Sequence, residues 1–332
     1  MGSRTTPSST ATTPECTTAI PGSYGYVPPS SCNALYLYNT SFSAAVAFTL
    51  LFGLLTIVHI FLAIFHRKSF CWVIIMGAIW ELASFILRTL GTRDQQNQAY
   101  AIASTLLFLL APLWINAFVY MTAGRLVYFL HPKKRLWGIE VVKMGRWFVW
   151  LDVLSFVVQA AGGLTMNQEN GEKVIEIGKN VYMSGVGVQQ LFILIFLGMI
   201  VKFHVDVLGS ERDGQLCDAD SSKRQVARWK WLTYTLYAVL GLITIRIIFR
   251  LVEFSAGTDE STNVLIGTEG YGLGLDAGPM TLALLLLATV HPGIALKGPD
   301  SEFPSLKENR LEKKARKARD KSPDAHIQPR GA

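Results

Sequence analysis

The sequence predicts an all-α membrane protein, a bundle of seven transmembrane helices with its N-terminus outside and its C-terminus in the cytosol. Of the 332 residues, 50% are hydrophobic and only 17% are charged, whereas a soluble domain carries about 25% charged residues. Seven long apolar stretches account for this deficit, and each approaches the roughly 20 residues that a spanning helix needs. Because lipid satisfies no backbone hydrogen bonds, stretches of this length are expected to be helices.

These stretches divide the chain into three parts. An extracellular segment rich in Ser, Thr and Pro (1–42) precedes a membrane domain (43–293), and a basic cytosolic tail follows (294–332). The first segment contains no apolar core of the kind that a cleaved signal peptide needs, so the first helix is expected to direct its own insertion. The predicted spans are 43–65, 71–90, 100–126, 147–163, 182–203, 231–251 and 271–290.

The orientation follows from the Lys and Arg residues of the connecting segments. They are abundant after the first, third and fifth spans and in the tail, whereas the N-terminal segment has only Arg4 and the second connection only Arg93. The positive-inside rule therefore places the N-terminus outside. It also accounts for the net charge of +7 without a nucleic-acid partner. For the tail segment 306–321, a basic helix on anionic lipid headgroups and a solvated chain both remain open.

Ionisable side chains inside the spans are costly in lipid, so each is a candidate functional residue. Residues seven apart lie on one helix face, because seven residues make nearly two turns, and such pairs occur in four spans. They predict a polar, substrate-binding chamber displaced towards the outer leaflet, with simple Arg–carboxylate pairing between helices as the alternative. The candidate residues are Glu81, Arg88, Asp152, Gln159, Gln189, Arg246, Arg250, Glu253, Glu269 and Asp276.

Pro112 and Asn116 lie in the middle of the third span. A proline inside a helix leaves a carbonyl without its hydrogen bond and kinks the helix. A kink beside a cavity is the functional interpretation, and accommodation of packing is the structural one. The glycine-rich start of the seventh span (269–276) either permits close helix packing or loosens the helix where a ligand lies.

Several of these residues belong to motifs that follow one another in a set order. The motifs are YGYVPPSSCN (24–33), the APLW segment around Pro112, Gly162-Gly163, RxxxRxxE (246–253), EGYGLGLD (269–276) and HPG (291–293). In this order they resemble the fungal RTA-like, lipid-translocating exporter family. The resemblance implies a seven-helix protein, expected in the plasma membrane, that exports or translocates sphingoid-base-like lipids or toxic amphiphiles and confers resistance to them. One branch of that family is linked to porphyrin or haem movement.

The expected partners are membrane lipids and an amphipathic small molecule. A cationic amphiphile is expected to place its amine against an acid of the chamber and its chain against apolar side chains of the helices. The candidate acids for the amine are Glu81, Glu253, Glu269 and Asp276. With Asp152 included, five acids face three arginines in the predicted chamber, which leaves coupling to protons open.

Two other functions remain as alternatives for a seven-helix protein. The first is a receptor or sensor for a lipid-like ligand, although Gly124-Arg125-Leu126 replaces the acidic-Arg-aromatic triplet of many receptors. The second is an intramembrane lipid hydrolase, but a zinc amidase needs about three His ligands and only His59 lies inside a span. No HExxH, GxSxG or Walker A motif occurs, so the sequence predicts no catalytic residues, no metal site and no cofactor.

The cysteines and one sequon lie on predictable sides of the membrane. Cys16 and Cys32 belong to the external segment, where disulfides persist, and they are expected to pair with each other. Cys71 and Cys217 lie on the cytosolic side and are expected to be free thiols. The sequon Asn39-Thr40-Ser41 is also external, but it lies close to the membrane, so little glycosylation is expected at Asn39.

The charge distribution predicts which end of the chain is accessible on intact cells. An epitope tag at residue 5 should be reached by an antibody added outside, whereas a tag at residue 330 should be reached only after permeabilisation, because the basic segments stay in the cytosol. Staining at residue 330 on intact cells would reverse the orientation and, with it, the assignment of the chamber to the outer leaflet.

Overall fold

The computed structural model describes residues 17–130, 135–136, 139–166, 171–212, 221–255 and 263–295. Seven helical segments within them are long and apolar enough to cross a membrane, which confirms the predicted fold class. Six are single helices: α1 (Phe42–His66), α2 (Trp72–Gly91), α3 (Gln98–Leu130), α4 (Val141–Thr165), α5 (Glu172–Arg212) and α6 (Ser221–Ser255). The short α7 (Val264–Gly267) precedes the seventh span (Glu269–Ile294). This span comprises α8 (Glu269–Gly272), a π-helical turn (Leu273–Ala277), α9 (Gly278–Thr289) and most of α10 (Pro292–Ala295).

The predicted spans coincide with the helices, but some helices extend well beyond the apolar stretches. α5 has 41 residues, although its apolar stretch is 182–203. α4 has 25 residues, as many as α1, although its apolar stretch is the shortest of the seven. Hydropathy detects only the lipid-embedded part of a helix, so polar helix ends go undetected. Between α3 and α4, the two-residue strands Arg135–Leu136 and Ile139–Glu140 pair antiparallel.

The spans form a ring in chain order. Each span contacts the next one, and α1 packs against α9 to close the ring. α3 also contacts α5 and α6, so it lies towards the centre, and its Phe118 and Tyr120 are among the largest fully buried side chains. The outward surface is apolar as well, since Leu50, Leu54 and Phe61 of α1 are exposed. Lipid tails are as apolar as these side chains, so their exposure is favourable in a bilayer.

Residues 17–41 fold back over one end of the bundle, called here the N-terminal end. The backbone N–H of Gln95 donates to the Tyr24 carbonyl (2.9 Å), which joins this segment to the connection between α2 and α3. Asn39 is exposed, and its side chain accepts a hydrogen bond from the Tyr26 hydroxyl (3.1 Å). The segment therefore covers the helix ends. The expected low glycosylation of Asn39 stays a prediction.

The cysteine predictions have different outcomes. Cys71 is a buried free thiol, as predicted. Cys32 is disulfide-bonded, but Cys16, its expected partner, lies outside the described residues, so the pairing stays a prediction. Cys217 and the basic tail segment 306–321 also lie outside the described residues.

The HPG motif closes the opposite end of the bundle, called here the C-terminal end. The His291 ring stacks on the His66 ring with 4.5 Å between centroids, and its Nε2 lies 3.5 Å from the Cys71 sulfur. A Cβ on Gly293 would lie 2.6 Å from the His66 side chain. The glycine of the motif therefore allows the end of the seventh span to pack directly on the end of α1.

Glycines also let α4 and α5 approach each other closely. A Cβ on Gly162 would lie 2.5 Å from the Tyr182 backbone nitrogen, and a Cβ on Gly185 would lie 2.8 Å from the Gln159 side chain. Small residues at helix interfaces commonly permit such close packing in membranes. The approach brings the Gln159 amide within 2.9 Å of the Gln189 side-chain oxygen, to which it donates.

Substitution of Gly162 by Ala is expected to lower the thermal stability of the purified protein. The new methyl group meets backbone atoms, and overpacking of this kind typically costs about 1–3 kcal/mol. Gly163→Ala is a matched control, because a Cβ on Gly163 would meet no atom within 4 Å among the described residues beyond its own helix backbone. Thermal unfolding in detergent micelles measures both variants, and equal melting temperatures would contradict the close contact between α4 and α5.

Candidate substrate cavity

A cavity of about 410 Å³ lies at the N-terminal end of the bundle. It is bounded by α2, α3, α6 and the seventh span, and residues 35–38 and α7 cover it. Its size falls within the range of small-ligand sites. The apolar lining includes Phe85, Phe108, Phe254 and Leu273. The charged lining consists of Arg88, Arg250, Glu253, Glu269 and Asp276.

Asp276 lies at the centre of the charged lining. It belongs to the π-helical turn and is only 1% exposed. Its two carboxylate oxygens pair with Arg246 and Arg250, one oxygen with each. Because these arginines are four residues apart, they lie on one face of α6 and reach the same carboxylate. π-Helical turns are rare in proteins, but those that occur are often found at functional sites. This turn carries the carboxylate that faces α6.

Pro112 helps to explain how Arg246 is accommodated inside the bundle. A proline has no N–H, so the carbonyl four residues earlier, that of Phe108, lacks its helical hydrogen bond. The guanidinium of Arg246 donates to this carbonyl, with 3.4 Å between Nη2 and O. It also lies 5.5 Å from the centroid of the Phe108 ring. The proline therefore frees an acceptor for a buried arginine.

A second ion pair joins α2 to α8. Arg88 donates to one carboxylate oxygen of Glu269 (2.9 Å). The other oxygen of Glu269 accepts the backbone N–H of Ser41 (2.7 Å), the residue that caps α1. The guanidinium of Arg88 lies 5.3 Å from the centroid of the Tyr38 ring. One carboxylate thus connects α2, the start of α1 and the seventh span.

Glu253 completes the charged lining. It lies three residues after Arg250 on α6 and accepts a hydrogen bond from its guanidinium (3.0 Å). The three arginines of the cluster thus pair with three of its five acids. Within the part of the chain that the structure describes, the two acids of this set without an ion pair are Glu81 and Asp152.

These two acids have different surroundings. Asp152 accepts hydrogen bonds from the Asn116 side chain (3.0 Å) and from the Tyr120 hydroxyl (2.9 Å). Both donors lie on α3, so Asp152 joins α4 to α3. Glu81 is 0% exposed, and neither of its carboxylate oxygens has a hydrogen-bond partner among the described residues.

The structure thus distributes the ten candidate residues over several places. Five line the cavity, as described above. Gln159, Gln189 and Arg246 lie at a second cavity of about 20 Å³ among α3, α4, α5 and α6, which also reaches Arg250. This volume holds about one water molecule. Glu81 and Asp152 line neither cavity, so the polar faces of the four helices do not share one chamber, and their roles towards a substrate stay predictions.

Two tyrosines of the N-terminal segment also line the cavity, although neither belongs to the predicted site. Burial raises the pKa of Tyr36 to about 12 and also raises that of Tyr38, so both side chains are neutral phenols. They lie in a non-helical segment, so the spacing of polar residues on helix faces could not identify them as site residues. The alternation Leu-Tyr-Leu-Tyr at 35–38 is the sequence signal that indicates a covered segment.

Comparison with known proteins identifies relatives of this chain. The model of the family described as RTA1 like protein matches residues 74–299, from α2 to beyond the seventh span. The chain is 45% identical over 307 residues to the probable lipid transporter atnI of Emericella nidulans. This alignment covers 92% of this chain and 80% of that protein. No solved structure matches the chain significantly.

Two relatives from Saccharomyces cerevisiae are more distant. Protoporphyrin uptake protein 1 is 30% identical over 210 residues, covering 63% of this chain and 64% of that protein. The sphingoid long-chain base transporter RSB1 is 23% identical over 309 residues, covering 83% of this chain and 78% of that protein. The similarity to the second of these therefore extends over most of both chains.

The ion pairs predict different consequences for substitutions at two buried acids. Asp276→Asn removes the carboxylate shared by Arg246 and Arg250, and breaking a buried pair costs about 3–5 kcal/mol. This variant is expected to lose membrane abundance and thermal stability. Glu81→Gln removes an acid that has no ion pair among the described residues, so the variant is expected to reach the membrane at the wild-type level. Equal losses of abundance and melting temperature in the two variants would contradict the pairing described here.

Proposed function

This chain belongs to the family of RTA1 like proteins, and we propose that it translocates amphipathic lipids across a fungal membrane. The proposed substrates are sphingoid-base-like lipids and toxic amphiphiles of related chemistry, and their export confers resistance. The proposed membrane is the plasma membrane, with the N-terminal end of the bundle outside. In this orientation the cavity lies in the half of the protein that faces the outer leaflet.

The amphipathic cavity is the observation that carries this proposal. A sphingoid base has an amine, which is cationic at neutral pH, attached to a long hydrocarbon chain. The carboxylates of Glu253, Glu269 and Asp276 line the cavity and favour a cation. The rings of Phe85 and Phe108 line it as well and offer an apolar surface to the chain. One cavity therefore has places for both parts of such a molecule.

The two arginines of the cavity determine how a cation binds there. Arg88 pairs with Glu269, and Arg250 pairs with both Glu253 and Asp276. An incoming amine competes with an arginine for a carboxylate, so binding replaces one ion pair by another. When the amine binds Glu253, Arg250 keeps Asp276 as its partner, so neither a carboxylate nor an arginine of the cavity is left unpaired. A balanced exchange suits a transporter, which has to release its substrate as well as bind it.

Glu253 is the cavity acid best placed to contact the substrate without a structural cost. Its carboxylate pairs with Arg250, which still has Asp276 as a partner when Glu253 is neutralised. Its side chain is 12% exposed, compared with 8% for Glu269 and 1% for Asp276. Removal of its charge therefore tests binding without leaving a buried arginine unpaired.

The relatives support the same class of substrate. A probable lipid transporter and a sphingoid long-chain base transporter both align with most of this chain. A cavity that combines carboxylates with an apolar wall suits the lipid substrates that the names of these two relatives state. The proposal requires transport alone, without catalysis and without a cofactor.

Purified protein in liposomes tests the proposal. Wild-type protein is expected to move a fluorescent sphingoid base between leaflets faster than protein-free liposomes do. Glu253→Gln is expected to slow this movement on the order of tenfold, because a hydrogen bond to a charged group contributes about 1.5–3 kcal/mol. The measured quantity is the initial rate at which the lipid becomes accessible to a quencher on the far side.

Glu211→Gln is the matched control for this measurement. It removes the charge from a carboxylate that pairs with Lys230 at the C-terminal end of the bundle, far along α5 from the cavity, and is expected to keep the wild-type rate. Equal slowing in both variants would contradict a role for the cavity. If the wild type moves no lipid but changes conformation when the amphiphile is added, a sensor function replaces the proposed one.

A further inference from the structure

Glu81 lies beside the cavity but does not line it. Ser84, Phe85 and Arg88, which follow on the same face of α2, all line the cavity, so Glu81 is about one turn deeper. Its side chain is fully buried, and neither carboxylate oxygen has a hydrogen-bond partner among the described residues. An ionised carboxylate in this position would have lost its hydration without receiving a replacement.

The charged groups that act on Glu81 come from two elements. Arg246 of α6 and Asp276 of the seventh span are its electrostatic neighbours. α3, which packs along α2, carries one charged residue, Arg125, near its end. α1 carries only two histidines, of which the buried His59 bonds to a carbonyl of α9. In the described part of the chain, Arg246 is thus the cation available to Glu81.

Arg246 is already engaged by other partners. It pairs with Asp276 and donates to a carbonyl of α3. Together with Arg250 and Glu253, these side chains form a set of two guanidinium groups and two carboxylates, which is neutral. An ionised Glu81 would give this buried set a net negative charge, whereas a protonated Glu81 leaves it neutral.

We propose that Glu81 is a proton-binding site whose proton is exchanged for the cationic head group of the substrate. This inference rests on the proposed function, because the cavity is taken to hold that head group. When the cation pairs with Glu253, Arg250 is left with Asp276 alone, which weakens the attraction of Asp276 for Arg246, and Arg246 is drawn to Glu81. The O–H bond of Glu81 then breaks and the proton leaves to solvent. One positive charge enters and one leaves, so the set of side chains stays neutral.

Two properties follow from this exchange. Each bound cation releases about one proton, and the affinity for the cation rises about tenfold per pH unit as long as Glu81 is protonated in the free protein. High pH favours binding because it removes the released proton, and low pH favours dissociation. An acidic solution at the N-terminal end of the bundle therefore promotes release of the substrate there. A pH difference across the membrane then supplies a driving force for export.

A permanently charged amphiphile tests the exchange. A long-chain alkyltrimethylammonium ion has a fixed positive charge, so any proton released on binding comes from the protein. Wild-type protein in lipid nanodiscs is expected to release about one proton per ligand bound, measured with an indicator dye in weak buffer. Its affinity is expected to increase about tenfold per pH unit in the pH range in which Glu81 is protonated in the free protein and ionised in the complex.

Variants at the same position make the test specific. Glu81→Gln is expected to bind the ligand without proton release and with an affinity that does not depend on pH. Glu81→Asp keeps an acid and is expected to release a proton, and Glu211→Gln, which changes an acid at the C-terminal end, is expected to behave like the wild type. Proton release that persists in Glu81→Gln, or wild-type binding without release, overturns this inference and leaves the proposed function intact. Failure of the wild type to bind the cation at any pH contradicts both.

Discussion

Arg246 and Arg250 bring two positive charges into a helix bundle, and both charges are held by one carboxylate, that of Asp276. Charged groups among membrane-spanning helices are costly unless they are paired, so the surrounding structure has to provide acceptors. The π-helical turn of the seventh span carries the shared carboxylate. Pro112 frees the carbonyl of Phe108, which takes a further hydrogen bond from Arg246. Two departures from regular helix geometry therefore serve the same pair of charges.

The cavity is built from the same elements as this charge network, and its residues consequently differ in what they can tolerate. Asp276 both lines the cavity and balances two arginines, so its structural and functional roles are inseparable. Glu253 lines the cavity but leaves Arg250 paired when it is neutralised. Glu269 has a further role, because it also binds the backbone at the start of α1. The acids of this site thus differ in structural importance: Asp276 is needed to balance two arginines, whereas Glu253 can lose its charge without leaving an arginine unpaired.

The two sides of the bundle are constructed differently. α3, α4 and α5 are continuous, and they are joined by glycine contacts, by the hydrogen bonds of Asp152 and by the amide pair of Gln159 and Gln189. The seventh span, in contrast, contains a π-helical turn between α8 and α9, and its backbone stays helical through this turn. π-Helical turns inside helices occur often at functional sites. Here the seventh span carries two of the three acids that line the cavity.

The sequence by itself determined the seven helices, the positions of charged side chains along them and the carbonyl freed by Pro112, because hydropathy, helical period and proline chemistry are local properties. Only the tertiary structure decided which acid pairs with which arginine, and that Glu81 lies outside the cavity and has no ion pair within the described part of the chain. Those outcomes depend on how each helix is rotated against its neighbours. Only the tertiary structure likewise placed residues 35–38 over the cavity, because a non-helical segment takes its position from contacts with other parts of the chain.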